Sequence, residues 1–152
     1  MEALSNFIAG SFQPAASGQT LDDMSSVTGE RLCTIPRSNA QDVDDAVTAA
    51  KAALSGDWGC STVAERADLL EAVADTIESR LEELAALESR DTGKPFRLAA
   101  TVDIPRAVSN FRFFAGAIRQ HQDGFQEMAG AINYTLRRPC GVVGLITPWN
   151  LP

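Results

Sequence analysis

Residues Thr147–Asn150, which read TPWN, have the types and position expected of a ligand-binding loop. They follow a continuous apolar run, Cys140–Ile146, which is typical of a strand covered on both faces. Ligands of open α/β sheets collect beyond the carboxyl ends of such strands. A rigid turn in which Asn150 caps backbone groups explains the same residues.

Other chemically versatile side chains give weaker signals. Cys33, Cys60 and Cys140 are odd in number and have no C-x-x-C or histidine partner at zinc spacing, which disfavours a disulfide framework or metal knuckle. Cys140 begins the predicted buried strand, without a basic neighbour evidently placed to activate its thiol, so we expect it to be inert packing. His121 follows an amphipathic helix, and a surface imidazole at that end needs no catalytic explanation.

Composition places the chain among globular proteins with room for one ordinary domain. Of its 152 residues, 45% are hydrophobic and 22% are charged. The net charge of −7 is spread over helix faces, which excludes nucleic acid as an expected partner. No apolar stretch is long enough to span a bilayer, and Glu2 directly after Met1 does not fit a signal segment. We therefore expect a cytoplasmic protein with no membrane partner.

Three capping-box pairs mark helix starts in the middle of the chain, where apolar residues recur at helical spacing. The third pair predicts a joint near Arg80, so that two consecutive helices or one bent helix lie there. The pairs are Ser38 with Gln41, Thr62 with Glu65, and Ser79 with Glu82.

A strong stop signal follows at Asp91–Pro95. Gly93 can adopt a positive φ beyond a helix end, and Pro95 fits the first turn of the next helix. That next helix is expected to continue to Ile118 and to be kinked by Pro105, which removes one backbone hydrogen bond.

Short strands are predicted on both sides of the helices. Asn6–Phe12 and Val27–Ile35 have the pattern of strand pairs, and Ala131–Arg137 alternates like a strand. Together with the buried strand at Cys140–Ile146, they indicate an α/β fold class. A covered strand implies a parallel sheet whose other strands are not in this sequence, so we expect the fold to be incomplete.

Residues Gly141–Asn150 closely resemble the G-V-x-x-x-I-x-P-W-N segment of the aldehyde dehydrogenase superfamily. Asn6–Gly10, Ser89–Pro95 and Phe111–Gly116 match other segments of that family in the same order along the chain. Because collinear agreement is difficult to obtain by accident, the chain is identified as a member. The resemblance implies the amino-terminal part of that fold, with a helical segment, the first strand of the dinucleotide-binding sheet and part of the oligomerisation strands.

The resemblance also implies a division of the chain into three parts. Residues 1–129 would be the amino-terminal strands and helices of the cofactor-binding domain. Residues 130–138 would be an oligomerisation strand, and residues 139–152 the first strand and loop of a Rossmann-like sheet. The full-length enzyme would be a homo-oligomer, either a dimer or a tetramer.

The family likeness gives the TPWN loop a catalytic and cofactor-binding role. It implies that Asn150 donates its amide to the oxyanion that forms when a cysteine thiolate attacks an aldehyde. The cleft for the cofactor, NAD or alternatively NADP, would be lined by Ile146, Thr147, Pro148, Trp149 and Asn150. Trp149 could equally be plain core. The nucleophilic cysteine and general-base glutamate of the family are not assigned to any residue here, so this chain alone is expected to be inactive.

Asp91 and Met24 are candidate ligands for a monovalent cation. Many members of the family bind such an ion through this aspartate and backbone carbonyls of an early strand, which would lie near Asp23 and Met24. Carboxylate and carbonyl oxygens suit a hard cation. An ordinary turn aspartate at the helix end explains Asp91 equally well.

The segment Asp103–Ala115 resembles the branch that oxidises 2-aminomuconic and 2-hydroxymuconic semialdehyde, in kynurenine or aromatic-ring catabolism. Arg106 occupies a helix position that faces the substrate tunnel in the wider family. Its guanidinium could hold the distal carboxylate of such a substrate through two parallel hydrogen bonds. Alternatively, Arg106 pairs with Asp103 on the same helix.

Two other readings remain open. The chain could be a non-catalytic form that binds or interferes with oligomers through its Tyr134–Arg137 strand. The parent could also be a dehydrogenase for another small aldehyde, such as succinic semialdehyde or betaine aldehyde.

Overall fold

The computed structural model describes residues 2–148, and for Glu2 the backbone alone. Five strands come first, then six helices interrupted by one π-helical turn, then two strands. The strands are β1 Glu2–Ala3, β2 Asn6–Ile8, β3 Ser11–Gln13, β4 Thr20–Met24, β5 Arg31–Pro36, β6 Phe125–Met128 and β7 Ala131–Tyr134. The helices are α1 Ala40–Leu54, α2 Asp57–Cys60, α3 Val63–Ser79, α4 Leu81–Thr92, α5 Phe96–Leu98 and α6 Ile104–Gln120, with the π turn at Ala99–Asp103.

The strands form three small sheets. β5 lies between β1, to which it is parallel, and β4, to which it is antiparallel. β2 and β3 form a hairpin whose turn residues Ala9 and Gly10 both have positive φ, as a two-residue primed turn requires. This confirms the strand pair predicted in the opening segment. β6 and β7 form a second hairpin, so the strand predicted at Ala131–Arg137 ends at Tyr134 and has a partner that the sequence did not indicate.

Helix α1 begins one residue later than its predicted cap. The side chain of Asn39 accepts a hydrogen bond from the N–H of Gln41 at 2.8 Å, and Asp42 accepts one from the N–H of Asn39 at 2.8 Å. The Ser38 hydroxyl instead donates to Asn6 at 2.9 Å. Serine and asparagine are equally good caps, so two adjacent candidates cannot be ranked by residue type. The predicted Ser38 cap is therefore wrong.

The predicted break between two helices at Arg80 is confirmed. Thr62 and Glu65 form the capping box that starts α3. Helix α4 starts from Arg80 without a side-chain cap, so Ser79 does not cap it as predicted. Gly93 ends α4 in the left-handed conformation at φ 76°. An added Cβ there would lie 2.6 Å from Ser26 Oγ and 2.8 Å from the Val27 side chain, which shows how closely this turn packs against the loop after β4.

The irregularity predicted at Pro105 takes the form of a π turn. Residues Ala99–Asp103 form this turn directly before α6, and Pro105 lies in the first turn of α6, where a missing N–H costs least. One π turn adds about one residue to the helical path, which rotates everything after it by about 100°. The direction of the α6 side chains therefore depends on this turn.

Helix α3 packs along α6, and small side chains make the close approach possible. Ala67, Ala74 and Ala115 are fully buried. Two ion-pair groups connect the outer edges of these helices, Arg112 with Asp75 and Glu78, and Arg119 with Asp68 and Glu71. A second cluster, Ala85, Ala99 and Ile104, fixes α4 against the π turn. Among residues 2–148, no helix has the length and apolarity needed to cross a membrane.

Candidate functional site

The segment that leads to the predicted catalytic loop is exposed. Residues 135–148 have no regular secondary structure, and Leu145 and Ile146 are 86% and 92% exposed. Within the described residues this segment forms no covered strand, and the first strand of a Rossmann-like sheet at residues 139–152 stays a prediction. Such a strand is stable only where neighbouring strands pair with it and helices cover it, and none of β1–β7 pairs with this segment.

The beginning of the exposed segment lies against α1. Val142 and Val143 line an open groove of about 430 Å³ together with the apolar side of α1 and strand β2. Gly141 passes the side chain of Leu54 at the end of α1, where an added Cβ would lie 3.8 Å from Leu54 Cδ1. Helix α1 and strand β2 thus contact the chain shortly before Ile146.

The structure brings only part of the predicted nucleotide-binding loop into view. Ile146, Thr147 and Pro148 are exposed and follow one another along the surface. Trp149 and Asn150 lie outside the described residues, so the oxyanion role of Asn150 and the cleft contact of Trp149 stay predictions.

Arg106 lies on the outer side of α6. Ile104 and Val108 point inward and are 3% and 4% exposed, whereas Arg106 is exposed. Asp103, the residue with which Arg106 could pair along the helix, is buried and engaged elsewhere. Within the described part of the chain, no acidic side chain pairs with Arg106. The alternative that Arg106 pairs with Asp103 is thus wrong, and the Arg106 guanidinium is available to an anionic ligand.

Asp103, the acidic residue three positions before Arg106, belongs to a buried ion triad with Lys94 and Glu88. Lys94 Nζ lies 2.7 Å from Asp103 Oδ2 and 3.0 Å from Glu88 Oε1. The side chains of Lys94, Glu88 and Asp103 are only 17%, 12% and 7% exposed. Hydrogen bonds to Asp103, and then to Glu88, raise the pKa of Lys94, because they favour its charged form. The triad connects the end of α4, the following turn and the π turn.

Sequence reasoning missed this triad. Its members are separated by six and nine residues and lie on three different elements, so no helical or strand period relates them. The one signal was a lysine in the stop between two helices with an acid on each side. From the sequence, Asp103 is a candidate partner for Arg106 alone.

The candidate cation ligand Asp91 lies at the end of α4 close to Asp23 of β4. Burial, then the neighbouring charges of Asp23 and Glu88, raise the pKa of Asp91. Met24 follows Asp23 at an irregular step of the β4–β5 ladder. Among residues 2–148, no three acidic, cysteine or histidine side chains converge as in a many-carboxylate metal site. The arrangement is a pair of neighbouring carboxyl groups, and a side-chain hydrogen bond with Asp23 also raises the pKa of Asp91.

Within residues 2–148, Cys33, Cys60 and Cys140 form no disulfide with one another. Cys33 is buried, and its thiol lies 3.4 Å from Asp23 Oδ2. Cys140 is exposed, so the expectation that it packs in a buried strand is wrong. The cause is the same as for the apolar run after it, namely that no described strand covers this segment.

Comparison with protein families decides the identity. A model described as the aldehyde dehydrogenase family matches residues 12–152. The chain belongs to this family. Its α/β fold matches the amino-terminal part of aldehyde dehydrogenase structures, which confirms the predicted fold class.

Several related dehydrogenases align with nearly the whole chain. It is 45% identical to 2-hydroxymuconic semialdehyde dehydrogenase of Pseudomonas sp. (strain CF600), an alignment that covers 100% of this chain and 32% of that protein. It is 47% identical to 2-aminomuconic semialdehyde dehydrogenase of Bos taurus, over 98% of this chain and 30% of that protein. Acetaldehyde dehydrogenase 2 of Cupriavidus necator is 44% identical, over 97% and 29% respectively. The chain therefore spans about a third of the length of these relatives.

Solved structures give the same result. A mutant aldehyde dehydrogenase from Bacillus cereus superposes with a TM-score of 0.94 at 40% identity, over 99% of this chain and 31% of that one. The NAD+ complex of aldehyde dehydrogenase from the same organism superposes with a TM-score of 0.83 at 37% identity, over 88% and 28%. These aldehyde dehydrogenases share the arrangement of helices and strands described above.

Proposed function

We propose that the protein containing this chain oxidises a carboxylate-bearing semialdehyde, such as 2-hydroxymuconic or 2-aminomuconic semialdehyde, to the acid with NAD+. The observation that carries this proposal is the exposed Arg106, which no acidic side chain in the described part of the chain neutralises. Two relatives named for muconic semialdehydes support it. A guanidinium can bind a carboxylate through two parallel hydrogen bonds, which an aldehyde without a carboxylate cannot use.

The chemistry assigned to this chain is binding and charge stabilisation. In the enzymes that it resembles, a cysteine thiolate adds to the aldehyde carbon, the hydride leaves that carbon, and water hydrolyses the resulting thioester. NAD+, when bound, supplies the hydride acceptor. The Asn150 amide would donate to the oxyanion, a contact that contributes about 3 to 4 kcal/mol to transition-state stabilisation in comparable sites.

The residues that would bind NAD+ offer surfaces that suit a nucleotide. Ile146, Thr147 and Pro148 present exposed backbone groups and, at Ile146, an uncovered apolar side chain. These residues would form one wall of the cleft, and Trp149 would extend it. NADP+ remains an alternative, because none of these residues distinguishes the two nucleotides.

The acidic pair supports a monovalent cation near β4. Burial, and then repulsion from the charges of Asp23 and Glu88, raises the pKa of Asp91. A cation bound by Asp91 and the Met24 carbonyl would relieve that repulsion. The ion would stabilise the contact between α4 and β4 without taking part in the reaction.

The β6–β7 hairpin supports a homo-oligomer, either a dimer or a tetramer. Phe125, Ile132 and Tyr134 are 69%, 63% and 65% exposed on a two-stranded sheet whose outer edges pair with no other strand among residues 2–148. Unpaired edges with apolar side chains favour association with another strand. The same surface would serve a non-catalytic form of the chain that interferes with oligomers.

Replacement of Arg106 tests the substrate class. In a full-length protein carrying this sequence, Arg106→Ala is expected to lower kcat/KM for 2-hydroxymuconic semialdehyde by about 10- to 150-fold, since hydrogen bonds to charged groups contribute about 1.5 to 3 kcal/mol. The value for acetaldehyde should change little. Arg106→Lys should recover part of the loss, because a lysine keeps the charge without the paired geometry.

Arg97→Ala is the matched control, because Arg97 is also exposed and lies just before the π turn. It should leave both substrates unchanged. A change of less than a few-fold in Arg106→Ala for the semialdehyde would contradict the proposed carboxylate contact. Equal losses for both aldehydes would also contradict it and would favour a general structural role.

A further inference from the structure

We propose that Lys94 is a positioning residue that keeps Arg106 available to the substrate by holding the Asp103 carboxylate away from it. This inference rests on the proposed function, since it assigns a reason for the availability of Arg106. Neither Lys94 nor Asp103 needs to contact the substrate. Their role would be to prevent a competing ion pair inside the protein.

The competing pair is built into the helix. Asp103 and Arg106 are three residues apart, and the backbone at Asp103 and Ile104 is right-handed helical, with φ/ψ of −68°/−54° and −66°/−45°. Side chains at this spacing lie on neighbouring positions, with Cβ atoms about 5 to 6 Å apart. A carboxylate and a guanidinium placed in this way form an ion pair when no stronger partner is present. Such a pair would occupy the guanidinium that the substrate needs.

Lys94 is the stronger partner for Asp103. The Lys94–Asp103 contact is 2.7 Å long between side chains that are 17% and 7% exposed. Charges interact more strongly away from water than at an exposed helix surface, where ion pairs contribute little. The carboxylate therefore turns inward to Lys94, and Arg106 stays outside. Removal of the lysine charge would leave a buried carboxylate without compensation, which strongly favours a new cationic partner.

The π turn places Asp103 at the contact with α4. Asp103 is the last residue of this turn and lies with Ala99 and Ile104 against α4, whereas Arg106 is exposed. Glu88 gives the lysine a second anchor at 3.0 Å, which fixes the ammonium on α4. The triad therefore holds the Asp103 carboxylate inward, while Arg106 stays exposed.

A pair of variants tests this role in a full-length protein carrying this sequence. The readout is selectivity, defined as kcat/KM for 2-hydroxymuconic semialdehyde divided by kcat/KM for acetaldehyde. Lys94→Gln should lower selectivity by about five-fold, through a higher KM for the semialdehyde, because Asp103 then pairs with Arg106. The double variant Lys94→Gln with Asp103→Asn should restore selectivity to within about two-fold of the native value, since no carboxylate remains to compete.

A purely structural role for the triad predicts the opposite pattern. Both substrates would then lose activity together in Lys94→Gln, and the double variant would lose more. The proposal is overturned if Lys94→Gln leaves selectivity unchanged, or if the double variant is as unselective as the single one. Asp103→Asn alone should keep native selectivity.

A second variant keeps the proposal testable if Lys94→Gln does not fold. Asn110 is exposed and lies four residues after Arg106, so Asn110→Asp places a competing carboxylate beside the guanidinium while the triad stays intact. Selectivity should fall by about five-fold in Asn110→Asp and stay native in Asn110→Ala. Unchanged selectivity in Asn110→Asp would overturn the argument that an acidic side chain of the protein, by pairing with Arg106, weakens its contact with the substrate.

The Arg106→Ala variant separates this inference from the proposed function. If Arg106→Ala leaves selectivity unchanged, the proposed carboxylate contact is wrong. If it lowers selectivity and Lys94→Gln does not, the contact stands and only the positioning role of Lys94 fails.

Discussion

Replacement of Gly93 by alanine should destabilise the protein, because the structure gives two separate reasons why only glycine fits at this position. Its φ of 76° is left-handed, and a Cβ would lie 2.6 Å from Ser26 Oγ and 2.8 Å from Val27 Cγ2. Gly10 has nearly the same φ, 79°, but an added Cβ there would meet nothing within 4 Å. The two glycines therefore differ in packing and not in backbone conformation.

The expected losses follow from these two causes. A left-handed backbone costs a residue with a Cβ about 1 to 2 kcal/mol, and this applies to Gly10→Ala as well as Gly93→Ala. Overpacking at the Ser26–Val27 contact adds about 1 to 3 kcal/mol for Gly93→Ala alone. The free energy of unfolding should thus fall by about 2 to 5 kcal/mol in Gly93→Ala. The gain from a less flexible unfolded chain is common to both variants and cancels in their difference.

Urea unfolding of the native protein and the two variants measures this difference. Val27→Ala in the Gly93→Ala background should recover part of the packing loss, because it removes the crowding Cγ2 atom. If Gly93→Ala is no more destabilising than Gly10→Ala, the close contact between the turn after α4 and the loop after β4 is wrong.

Two further predictions concern helix starts. Thr62→Ala removes the acceptor that caps α3 and should lower the free energy of unfolding by about 1 kcal/mol, whereas Ser79→Ala should be nearly neutral because α4 has no side-chain cap. Denaturant midpoints compare the two variants, and equal losses of stability would contradict the assigned caps. The pKa of Asp42 is lowered by the N–H of Asn39 and then by that of Ala16. The ionised Asp42 side chain therefore stabilises the fold above the ordinary aspartate pKa, and this stabilisation is lost as pH falls through the lowered pKa of Asp42. The difference in free energy of unfolding between the native protein and Asp42→Asn should accordingly become smaller on acidification. A gap that widens towards low pH would refute this.

Local signals predicted the helices well because the atoms that determine a helix start or stop are close in sequence. The Thr62 box and the Gly93 stop each depend on residues within a single turn. The one-residue error at α1 has a non-local cause. Ser38 and Asn39 are both good caps, and what distinguishes them is that Ser38 reaches Asn6, 32 positions away.

The strands and the site depended on partners that no local pattern reveals. The apolar run before Ile146 has the composition of a covered strand, yet it is exposed because none of the described strands pairs with it. The sequence analysis does not predict strand β6, since its pairing with β7 is its main support. Arg106 was found as a candidate from the resemblance of its segment, but Lys94, which explains why it is unpaired, comes from a different element.

The small-residue interface of α3 and α6 shows how the fold supports the site. Fully buried alanines let the helices approach, and ion pairs of Arg112 and Arg119 connect their outer edges. Exposed ion pairs contribute little energy individually, so the packing of the alanines is the main stabilising contact between the two helices. Arg106 is held on the free side of α6 by this arrangement.

Steady-state oxidation by a full-length protein carrying this sequence tests the central claim most directly. NADH formation is followed with NAD+ and either 2-hydroxymuconic semialdehyde or acetaldehyde as substrate. We predict NADH formation with both, and a clearly higher kcat/KM for the semialdehyde because only that substrate offers Arg106 a carboxylate. No NADH with either aldehyde, or a preference for acetaldehyde, would contradict the account.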